Sequence, residues 1–262
     1  MVEKGIAGSR EKAKDMIKSG NVYLNSQKVF KAGLLANSCD IIEFKGESER
    51  FVSRGGLKLQ RAVESFGLNL NGYLCIDVGA STGGFTDCML QCGARRVYAV
   101  DSGTGQLSEK LLNDGRVVNL EKTNFRYITA QQIPELADFA SVDVSFISLK
   151  LILPTLNMLL RDGGTAVCLI KPQFEAGREN VGKKGVVRDR RVHIKVIENV
   201  CTFAVEAGFI IKGLDFSPVK GPEGNIEYLI YLEKGRGGTP CAPDIAGVVA
   251  ASHTHLNGGD RH

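Results

Sequence analysis

The segment Cys75-Ile76-Asp77-Val78-Gly79-Ala80-Ser81-Thr82-Gly83-Gly84-Phe85 joins an apolar run that ends with an acid to a loop of small residues. Glycines allow the backbone to turn tightly and to approach a ligand without an intervening Cβ atom. A helix after such a loop offers unpaired N–H groups at its first turn. The segment therefore predicts a strand, a loop and a helix that together could hold a nucleotide-like cofactor.

A second apolar run, from Arg96 to Val100, is followed directly by Asp101. In sheets that bind nucleotide-like cofactors, an acid at about this distance along the chain hydrogen-bonds the two ribose hydroxyls. The second strand and its acid therefore support the cofactor site that the glycine loop predicts.

The spacing of the glycines distinguishes between cofactors. Residues 79–84 read G-A-S-T-G-G, so Ser81 stands where the dinucleotide motif G-x-G-x-x-G requires its second glycine. A phosphate-binding P-loop is excluded because no Gly-Lys-Ser/Thr follows. The pattern D-x-G-x-x-x-G-G-F instead resembles the first motif of class I methyltransferases that use S-adenosylmethionine. A nicotinamide enzyme and a glycine-rich turn without a ligand are the alternatives.

That resemblance implies S-adenosylmethionine as the cofactor and gives its binding residues. We expect one group of side chains and glycines to surround the methionine end: Asp77, Gly79, Ser81, Thr82, Gly83 and Phe85. Asp101 is expected on the ribose, and Asn124 near the adenine.

Composition indicates an ordinary globular protein of 262 residues, 43% hydrophobic and 24% charged, with a net charge of +4. We expect no membrane association, because no apolar run approaches the roughly 18 residues of a membrane helix. The first residues lack the apolar core of a signal peptide, so a cytoplasmic location is expected. The seven scattered cysteines are typical of reduced thiols. Cys88 and Cys92 lie one helical turn apart without a second ligand pair, so no metal is expected.

The N-terminal residues predict a basic helix and a hairpin. Ser9 is a suitable helix cap and Gly20 a suitable stop, while Arg10, Lys14 and Lys18 recur every four residues along one face. A stripe of this kind is alternatively a solvated surface. The sequence S-R-E-K-A-K-x-M-I-K-S-G-x-V-x-L-N resembles the S4 RNA-binding domain, which implies that the stripe contacts RNA.

Two features depart from the S4 pattern. The Arg-Leu-Asp opening helix is missing ahead of Val2, so we expect a shortened domain, and Ser26 replaces the glycine that is usual in the hairpin turn. The S4-like domain is expected at residues 1–46, with a linker at 47–52. Arg54, at the start of the next helix, is a further expected RNA contact.

From Tyr73 onward, strands and helices alternate, as in a doubly wound parallel sheet of the α/β class. The predicted strands are Leu74–Val78, Arg96–Val100, Val117–Leu120, Ala140–Val142, Thr165–Ile170 and Ile226–Leu232. Residues 190–207 predict a helix that stops at Gly208. We therefore expect a Rossmann-like class I methyltransferase domain at residues 53–234. The glycine- and proline-rich residues 235–262 predict a flexible tail, or at most a short docked helix at Ala246–Ala251.

Polar residues that directly follow buried strands are candidates for chemistry, because ligands bind beyond the carboxyl ends of parallel strands. Asp143 and Lys171 stand at such positions, and Glu227 lies among apolar neighbours. Taken singly, Asp143 could cap a turn and Lys171 could rise to solvent, and Lys58 would be a surface lysine. In the order Lys58, Asp143, Lys171, Glu227, the set resembles the K-D-K-E tetrad of FtsJ-like RNA 2'-O-ribose methyltransferases.

A further group of segments resembles the TlyA family, S4-domain rRNA methyltransferases that are also called hemolysins. They are V-S-R-G-G-x-K-L, D-V-G-A-S-T-G-G-F-T-D, V-Y-A-V-D-x-G-x-G-Q-L, N-L-E-K-T-N-x-R, D-V-S-F-I-S-L, I-K-P-Q-F-E and G-N-I-E-Y-L. The resemblance implies 2'-O-methylation of a cytidine in ribosomal RNA. It implies that Lys171 receives or polarises the hydroxyl proton, that Asp143 and Lys58 position it, and that Glu227 orients the lysines. A membrane-lysing protein and an RNA-binding protein with an inactive methyltransferase domain are the alternatives.

Overall fold

A computed structural model describes the chain except for residues 5, 8–9, 19, 21, 38–39, 45–49, 236–241 and 258–262. Only the backbone is described at residues 11, 12, 15, 18, 44, 222 and 257. The chain separates into two compact units, Met1–Arg50 and Phe51–His262. Phe51 belongs to the second unit, where it is buried and packs on Gly56, so the second unit begins inside the linker predicted at residues 47–52.

The first unit consists of one helix and a small antiparallel sheet. Its elements are α1 (Arg10–Lys18), β1 (Val22–Leu24), β2 (Gln27–Val29) and β3 (Ile42–Phe44), with β1 in the middle of the sheet. Ala13 and Ile17 are buried while Arg10 and Lys14 are exposed, so the helix has the amphipathic pattern predicted for it. The proposed cap, Ser9, lies outside the described residues.

A two-residue turn joins β1 to β2. Asn25 and Ser26 both have positive φ, 49° and 67°, as a type I' hairpin turn requires. The predicted hairpin is therefore present. Asn25 also fastens the turn to the segment before β3, because its Nδ2 donates to Asp40 Oδ1 at 2.8 Å and its Oδ1 accepts from the Ile41 N–H at 2.9 Å.

The second unit is built on a seven-stranded sheet with helices on both faces. Its strands are β4 (Leu74–Val78), β5 (Arg96–Val100), β6 (Val117–Leu120), β7 (Ala137–Val142), β8 (Leu160–Ile170), β9 (Phe209–Phe216) and β10 (Tyr228–Lys234). Its helices are α2 (Gly55–Phe66), α3 (Gly84–Gln91), α4 (Glu109–Leu112), α5 (Leu153–Leu159), α6 (Pro172–Glu175), α7 (Arg190–Glu206) and α8 (Ile245–Asn257). Four short 3-10 turns lie at Phe125–Tyr127, Leu149–Leu151, Arg178–Asn180 and Pro222–Gly224.

The strand order β6-β5-β4-β7-β8-β10-β9 confirms the predicted Rossmann-like sheet. The order reverses between β4 and β7, which is the place where sheets of this kind bind their ligands. The sheet is not wholly parallel, since β10 runs antiparallel to both β8 and β9.

The sequence did not predict β9, and it placed the start of the last strand at Ile226 instead of Tyr228. Gly213 weakens the strand pattern of residues 209–216, because glycine has low strand propensity. In the folded chain the Phe66 ring packs over Gly213 and occupies the space that a side chain would take. Tertiary packing therefore supports a strand that the local sequence does not favour.

Alternate residues of the central strands face two separate hydrophobic clusters. Leu74, Ile76 and Val78 face the cluster beneath α5, α7 and α8, whereas Cys75 faces the cluster beneath α2 and α3. Burial on both faces explains why these strands read as continuous apolar runs. The carboxyl edge of the sheet is left open for a ligand.

The described residues after Lys234 include a helix that packs on the rest of the second unit. This helix is α8, which has 13 residues and is longer than the short docked helix predicted at Ala246–Ala251. Val249, Ser252 and His253 are buried, because the helix packs against α7 and β9. Within the described part of the chain, no helix combines the length and the apolar character needed to cross a membrane.

Candidate active site

The glycine loop lies between β4 and α3 and packs against the end of β7. Gly79 has φ +84°, and a Cβ at this position would collide with the carbonyl oxygen of Asp143. Gly83 has φ +93°, and a Cβ there would collide with Leu111. These two residues must therefore be glycine for backbone and steric reasons. The Asp143 N–H donates to the Val78 carbonyl at 2.9 Å. This bond fixes the glycine loop beside the first residue after β7.

The structure places Asp77 beneath the loop and turns its carboxylate into the protein. The residue is fully buried, and it accepts hydrogen bonds from Thr86 Oγ1 at 2.7 Å and from Ser141 Oγ at 3.0 Å. Burial raises the pKa of Asp77 to about 6, against the lowering effect of the two hydroxyls. Its carboxylate braces β4, β7 and α3, so any effect on a cofactor is transmitted through the loop.

Asp101 follows β5 and lies beside the glycine loop. Its Oδ2 accepts from the Ser81 N–H at 2.8 Å and its Oδ1 from the Gly103 N–H at 2.7 Å. Each carboxylate oxygen keeps a second lone pair, which is available to a hydroxyl donor. A small cavity beside Asp101 is lined in addition by Asn119 and Glu121.

Asn124, expected near the adenine, does not line this cavity. Its side-chain oxygen accepts from the Arg126 N–H at 3.2 Å and caps the short 3-10 turn that follows. Local side-chain to backbone bonds of this kind are common for asparagine. The placement of Asn124 near the adenine stays a prediction.

A larger cavity of about 360 Å3 opens between the glycine loop and the start of α2. Cofactor pockets have volumes of roughly 300 to 1,000 Å3. Its lining brings together many of the predicted site residues: Arg54, Lys58, Gly79, Ser81, Thr82, Phe85 and Asp143. The lining is completed by Ser53, Gly55, Ala80, Gly84, Val219, Lys220 and Gly221.

The four residues of the predicted tetrad form one connected cluster at this edge of the sheet. Lys58 Nζ lies 2.7 Å from Glu227 Oε2 and 3.5 Å from Asp143 Oδ2. Lys171 Nζ lies 2.6 Å from Asp143 Oδ1. Lys58, Lys171 and Glu227 are buried, with Glu227 at 0% exposure. The chain thus assembles two cations and two carboxylates from α2, the ends of β7 and β8, and the residue before β10.

The two lysines of the cluster differ in their surroundings. Burial opposes the charge of Lys58, but the carboxylates of Asp143 and Glu227 outweigh that effect and raise the pKa of Lys58 above its ordinary value. Lys58 is therefore held as a cation. Lys171 contacts only one of these carboxylates and also donates to Ser145 Oγ at 3.1 Å. Lys171 therefore has one carboxylate partner, whereas Lys58 has two.

Glu175 and Ser145 also make contacts at the site, although no role was predicted for either residue. Glu175 accepts from Ser148 Oγ at 2.7 Å and from the Leu149 N–H at 2.8 Å, so it ties the loop after β7 to α6, which follows Lys171. Burial raises the pKa of Glu175 against these two hydrogen bonds. The sequence feature that could have indicated a role is the motif D-V-S-F-I-S-L for Ser145 and the motif I-K-P-Q-F-E for Glu175.

Phe146 is an exposed aromatic residue close to Lys171. Its side chain is 90% exposed and its backbone has φ 63°, an uncommon value for a bulky residue. The Phe146 and Phe174 rings lie 4.9 Å apart, and Lys171 Nζ lies 5.9 Å from the centre of the Phe174 ring. These rings line a cavity of about 450 Å3 together with Gln173, Gly177, Arg178, Val181 and Gly185. Strained, exposed residues of this kind cluster at functional sites.

The predicted RNA contacts fall in both units. Arg54 lies in the second unit, where it is exposed at the 360 Å3 cavity beside the glycine loop. Arg10 and Lys14 are exposed on α1 of the first unit, and the Lys18 side chain lies outside the described part of the chain. Within the second unit, the exposed Arg54, the rings of Phe146 and Phe174 and the lysine–carboxylate cluster could together hold a polar, anionic substrate and polarise one of its hydroxyls.

Comparison with known proteins agrees with this geometry. The family model described as FtsJ-like methyltransferase matches residues 51–234. YqxC of Bacillus subtilis, which is named as a candidate rRNA methyltransferase, is 51% identical over 233 residues, 88% of this chain and 83% of its own. The protein named 16S/23S rRNA (cytidine-2'-O)-methyltransferase TlyA, from Mycobacterium tuberculosis, is 39% identical over 260 residues, 99% of this chain and 96% of its own.

A solved structure from Streptococcus thermophilus, described as that of a candidate hemolysin, is also similar. It superposes with a TM-score of 0.84 at 49% sequence identity and covers 97% of this chain and 94% of its own. The similarity therefore extends over almost the whole chain.

Proposed function

The chain belongs to the FtsJ-like methyltransferase family, and from this premise we propose that it uses S-adenosylmethionine to methylate the 2'-hydroxyl of a cytidine ribose in ribosomal RNA. The relative from Mycobacterium tuberculosis carries that activity in its name. The observation that supports the proposal most is the cluster of Lys58, Asp143, Lys171 and Glu227 beside the glycine loop.

The residues around the 360 Å3 cavity beside the glycine loop fit the proposed cofactor. Gly79, Ser81, Thr82 and Phe85 border it and would hold the methionine end. Asp101 retains lone pairs for ribose hydroxyls in the adjoining cavity. When bound, S-adenosylmethionine supplies an electrophilic methyl group on a sulfonium.

Proton removal is the step that the protein must provide, because a ribose hydroxyl is a poor nucleophile while it keeps its proton. Lys171 is the residue that we assign to accept or polarise this proton. Lys58 lies between two carboxylates, Glu227 at 2.7 Å and Asp143 at 3.5 Å, so we assign it the role of a fixed cation. Asp143 contacts both lysines and sets their separation, and the fully buried Glu227 orients Lys58. Holding the hydroxyl in place can itself lower the barrier by several kcal/mol.

The exposed Phe146 ring suggests how the target nucleotide is held. Single-stranded or unstacked bases are recognised by stacking on aromatic side chains, at about 1–3 kcal/mol per base. Phe146 and Phe174 lie next to Lys171, so a base stacked there would bring its own ribose towards the tetrad. Because ribosomal RNA is the substrate in this proposal, we also propose that the protein acts in the cytoplasm.

The test is methylation of ribosomal subunits that lack the modification, with purified protein and S-adenosylmethionine labelled on its methyl group. Mass mapping of the nucleotides should find the label on a ribose 2'-oxygen of a cytidine. Label on base atoms would refute the ribose assignment. If calorimetry detects no binding of S-adenosylmethionine, the methyltransferase domain is inactive. If the detergent-free protein makes liposomes leak, the protein is membrane-active.

A further inference from the structure

A strongly basic segment borders the cavity that Phe146 and Phe174 line. Residues 178–191 carry six basic side chains against two acidic ones, a net charge of +4 that equals the net charge of the entire chain. The segment includes Arg178, which lines the cavity itself, and Lys183 and Lys184, which are exposed.

Most of these cations are not neutralised within the second unit. Arg191 pairs with Asp189 at 2.8 Å, but Lys183, Lys184 and Arg188 have no carboxylate within ion-pair distance among the described residues. Adjacent like charges on a surface repel one another. A concentration of unpaired cations is therefore more useful for binding an anion than for stabilising the fold.

The two lysines are presented on a closed turn. The Gly185 N–H donates to the Gly182 carbonyl at 2.8 Å, and the Gly182 N–H donates to the Val186 carbonyl at 3.2 Å. Gly185 has φ +72°, which permits the tight reversal. Lys183 and Lys184 stand at the tip of this turn.

A buried asparagine fixes the base of the turn. Asn225 is 2% exposed; its Nδ2 donates to the Gly185 carbonyl at 2.9 Å and its Oδ1 accepts from the Val187 N–H at 3.1 Å. The other side of Val187 is also held, because the carbonyl of Val187 lies 2.9 Å from Nε2 of the buried His193. The lysine turn is therefore anchored at defined positions in the second unit.

The anchor is continuous with the catalytic cluster. Asn225 lies two residues before Glu227. Its carbonyl accepts from the N–H of Gly221, which lines the 360 Å3 cavity beside the glycine loop. Gly185 lines the cavity beside Phe174, whose ring is close to Lys171. The turn thus borders the place where the target nucleotide is proposed to enter.

We propose that the turn of residues 182–185 binds the RNA phosphates that flank the target nucleotide, and that Asn225 positions it. The inference rests on the proposed function, since it assigns how the RNA is held at the same site. Lysines act as point charges that recognise phosphate without reading the base. The turn therefore contributes affinity and register, and it leaves selection of the base to the residues of the cavity.

The variant Lys183→Ala/Lys184→Ala tests the phosphate contacts. Binding of an unmethylated rRNA transcript is measured between about 50 and about 200 mM salt, where each lost phosphate contact reduces the slope of log K against log salt by about 1. We expect the slope to fall by about 2 and the KM for ribosomal subunits to rise. The kcat at saturating RNA and the affinity for S-adenosylmethionine should be unchanged.

Lys195→Ala/Lys212→Ala is the matched control, because it removes two exposed lysines of the same unit that are paired with Glu198 and Glu233. It should behave as the unmodified protein. An unchanged salt slope and KM in Lys183→Ala/Lys184→Ala, while the unmodified protein methylates its RNA, would overturn the inference and leave the function intact. Absence of RNA methylation by the unmodified protein would instead refute the proposed function.

The isosteric variant Asn225→Asp tests the positioning role. It keeps the acceptor for the Val187 N–H but replaces the donor to Gly185 with a second oxygen, which displaces the turn. We expect a higher KM for RNA in the otherwise unmodified protein and no further increase in the Lys183→Ala/Lys184→Ala background, because Asn225 acts through the lysines. Equal increases in both backgrounds would show that Asn225 does not position the turn.

Discussion

Lys58 and Glu227 show how two charged side chains are kept inside the protein. Their 2.7 Å contact joins residues that lie 169 positions apart in the chain, and Glu227 has no exposed surface. Removing one member of a buried pair typically costs about 3–5 kcal/mol, because the other charge is left uncompensated. This arrangement is weak evidence for stability, but it gives the site a fixed cation beside the residue proposed to accept a proton.

Lys171 gives the most direct prediction at the residue scale. Lys171→Ala should abolish methyl transfer while the affinity for S-adenosylmethionine stays within about tenfold, or about 1.4 kcal/mol. Lys171→Arg should also be inactive, because arginine keeps its proton in proteins. Single-turnover methylation and calorimetry are the measurements. Near-normal transfer by Lys171→Arg would show that a cation alone is sufficient and would exclude proton acceptance by Lys171.

Asp77 gives a pH-dependent prediction. Its pKa of about 6, compared with an ordinary value of 3.8, means that the folded protein binds the proton more tightly than the unfolded chain. The cost of burying the ionised group, about 3 kcal/mol, is fully present above pH 6 and disappears as the pH falls towards 3.8. Asp77→Asn should remove that cost, since the Thr86 and Ser141 hydroxyls can turn to suit an amide.

Asp77→Asn should therefore have a higher free energy of unfolding than the unmodified protein. The difference should be largest at about pH 8 and should shrink in acid. Urea unfolding from about pH 4 to about pH 8 measures it. Asp162→Asn, which alters an exposed carboxylate, is the control. A difference that does not vary with pH would contradict the assignment of the raised pKa to Asp77.

At the scale of elements, the hairpin of the first unit has a residue poorly suited to its turn. Ser26 has φ 67°, a conformation that costs a residue with a Cβ roughly 1 kcal/mol. Ser26→Gly should stabilise β1 and β2 by about 0.5–1 kcal/mol. Hydrogen exchange of the amides in Val22–Val29 is the measurement. Ser26→Ala is the control and should give no gain; equal protection in both variants would contradict the turn geometry.

The C-terminal helix α8 illustrates the limit of local patterns. The Tyr228 hydroxyl lies 2.6 Å from His193 Nδ1 and 3.2 Å from Ser252 Oγ, so a buried polar chain joins α8 to α7 and β10. Burial lowers the pKa of His193, which favours the neutral ring in this chain of hydrogen bonds. None of these partners is near another in sequence, so no local pattern could show that buried hydrogen bonds hold α8.

At the scale of the whole molecule, RNA binding is expected to draw on both units. Arg10→Ala/Lys14→Ala in α1 should weaken rRNA binding and reduce its salt dependence, without changing the affinity for S-adenosylmethionine. Its loss of binding free energy should add to that of Lys183→Ala/Lys184→Ala, because the two pairs lie in separate units and share no partner. Filter binding over a salt series checks both statements. An unchanged salt dependence in Arg10→Ala/Lys14→Ala would refute the RNA-binding role of α1.

The sequence by itself determined the central strands, the glycine loop, the hairpin and the four residues of the tetrad. These features depend on apolar periodicity, on glycine at strained positions and on motifs, all of which are local in the chain. The position of Asp101 directly after β5 was predicted for the same reason.

Only the tertiary structure decided how these parts combine. Packing of Phe66 over Gly213 allowed β9. Burial turned Asp77 inward, and Asn225 came to hold the lysine turn near the tetrad. These outcomes depend on contacts between residues far apart in sequence, whose energies are settled when the sheet and its helices pack, so no local pattern could reveal them.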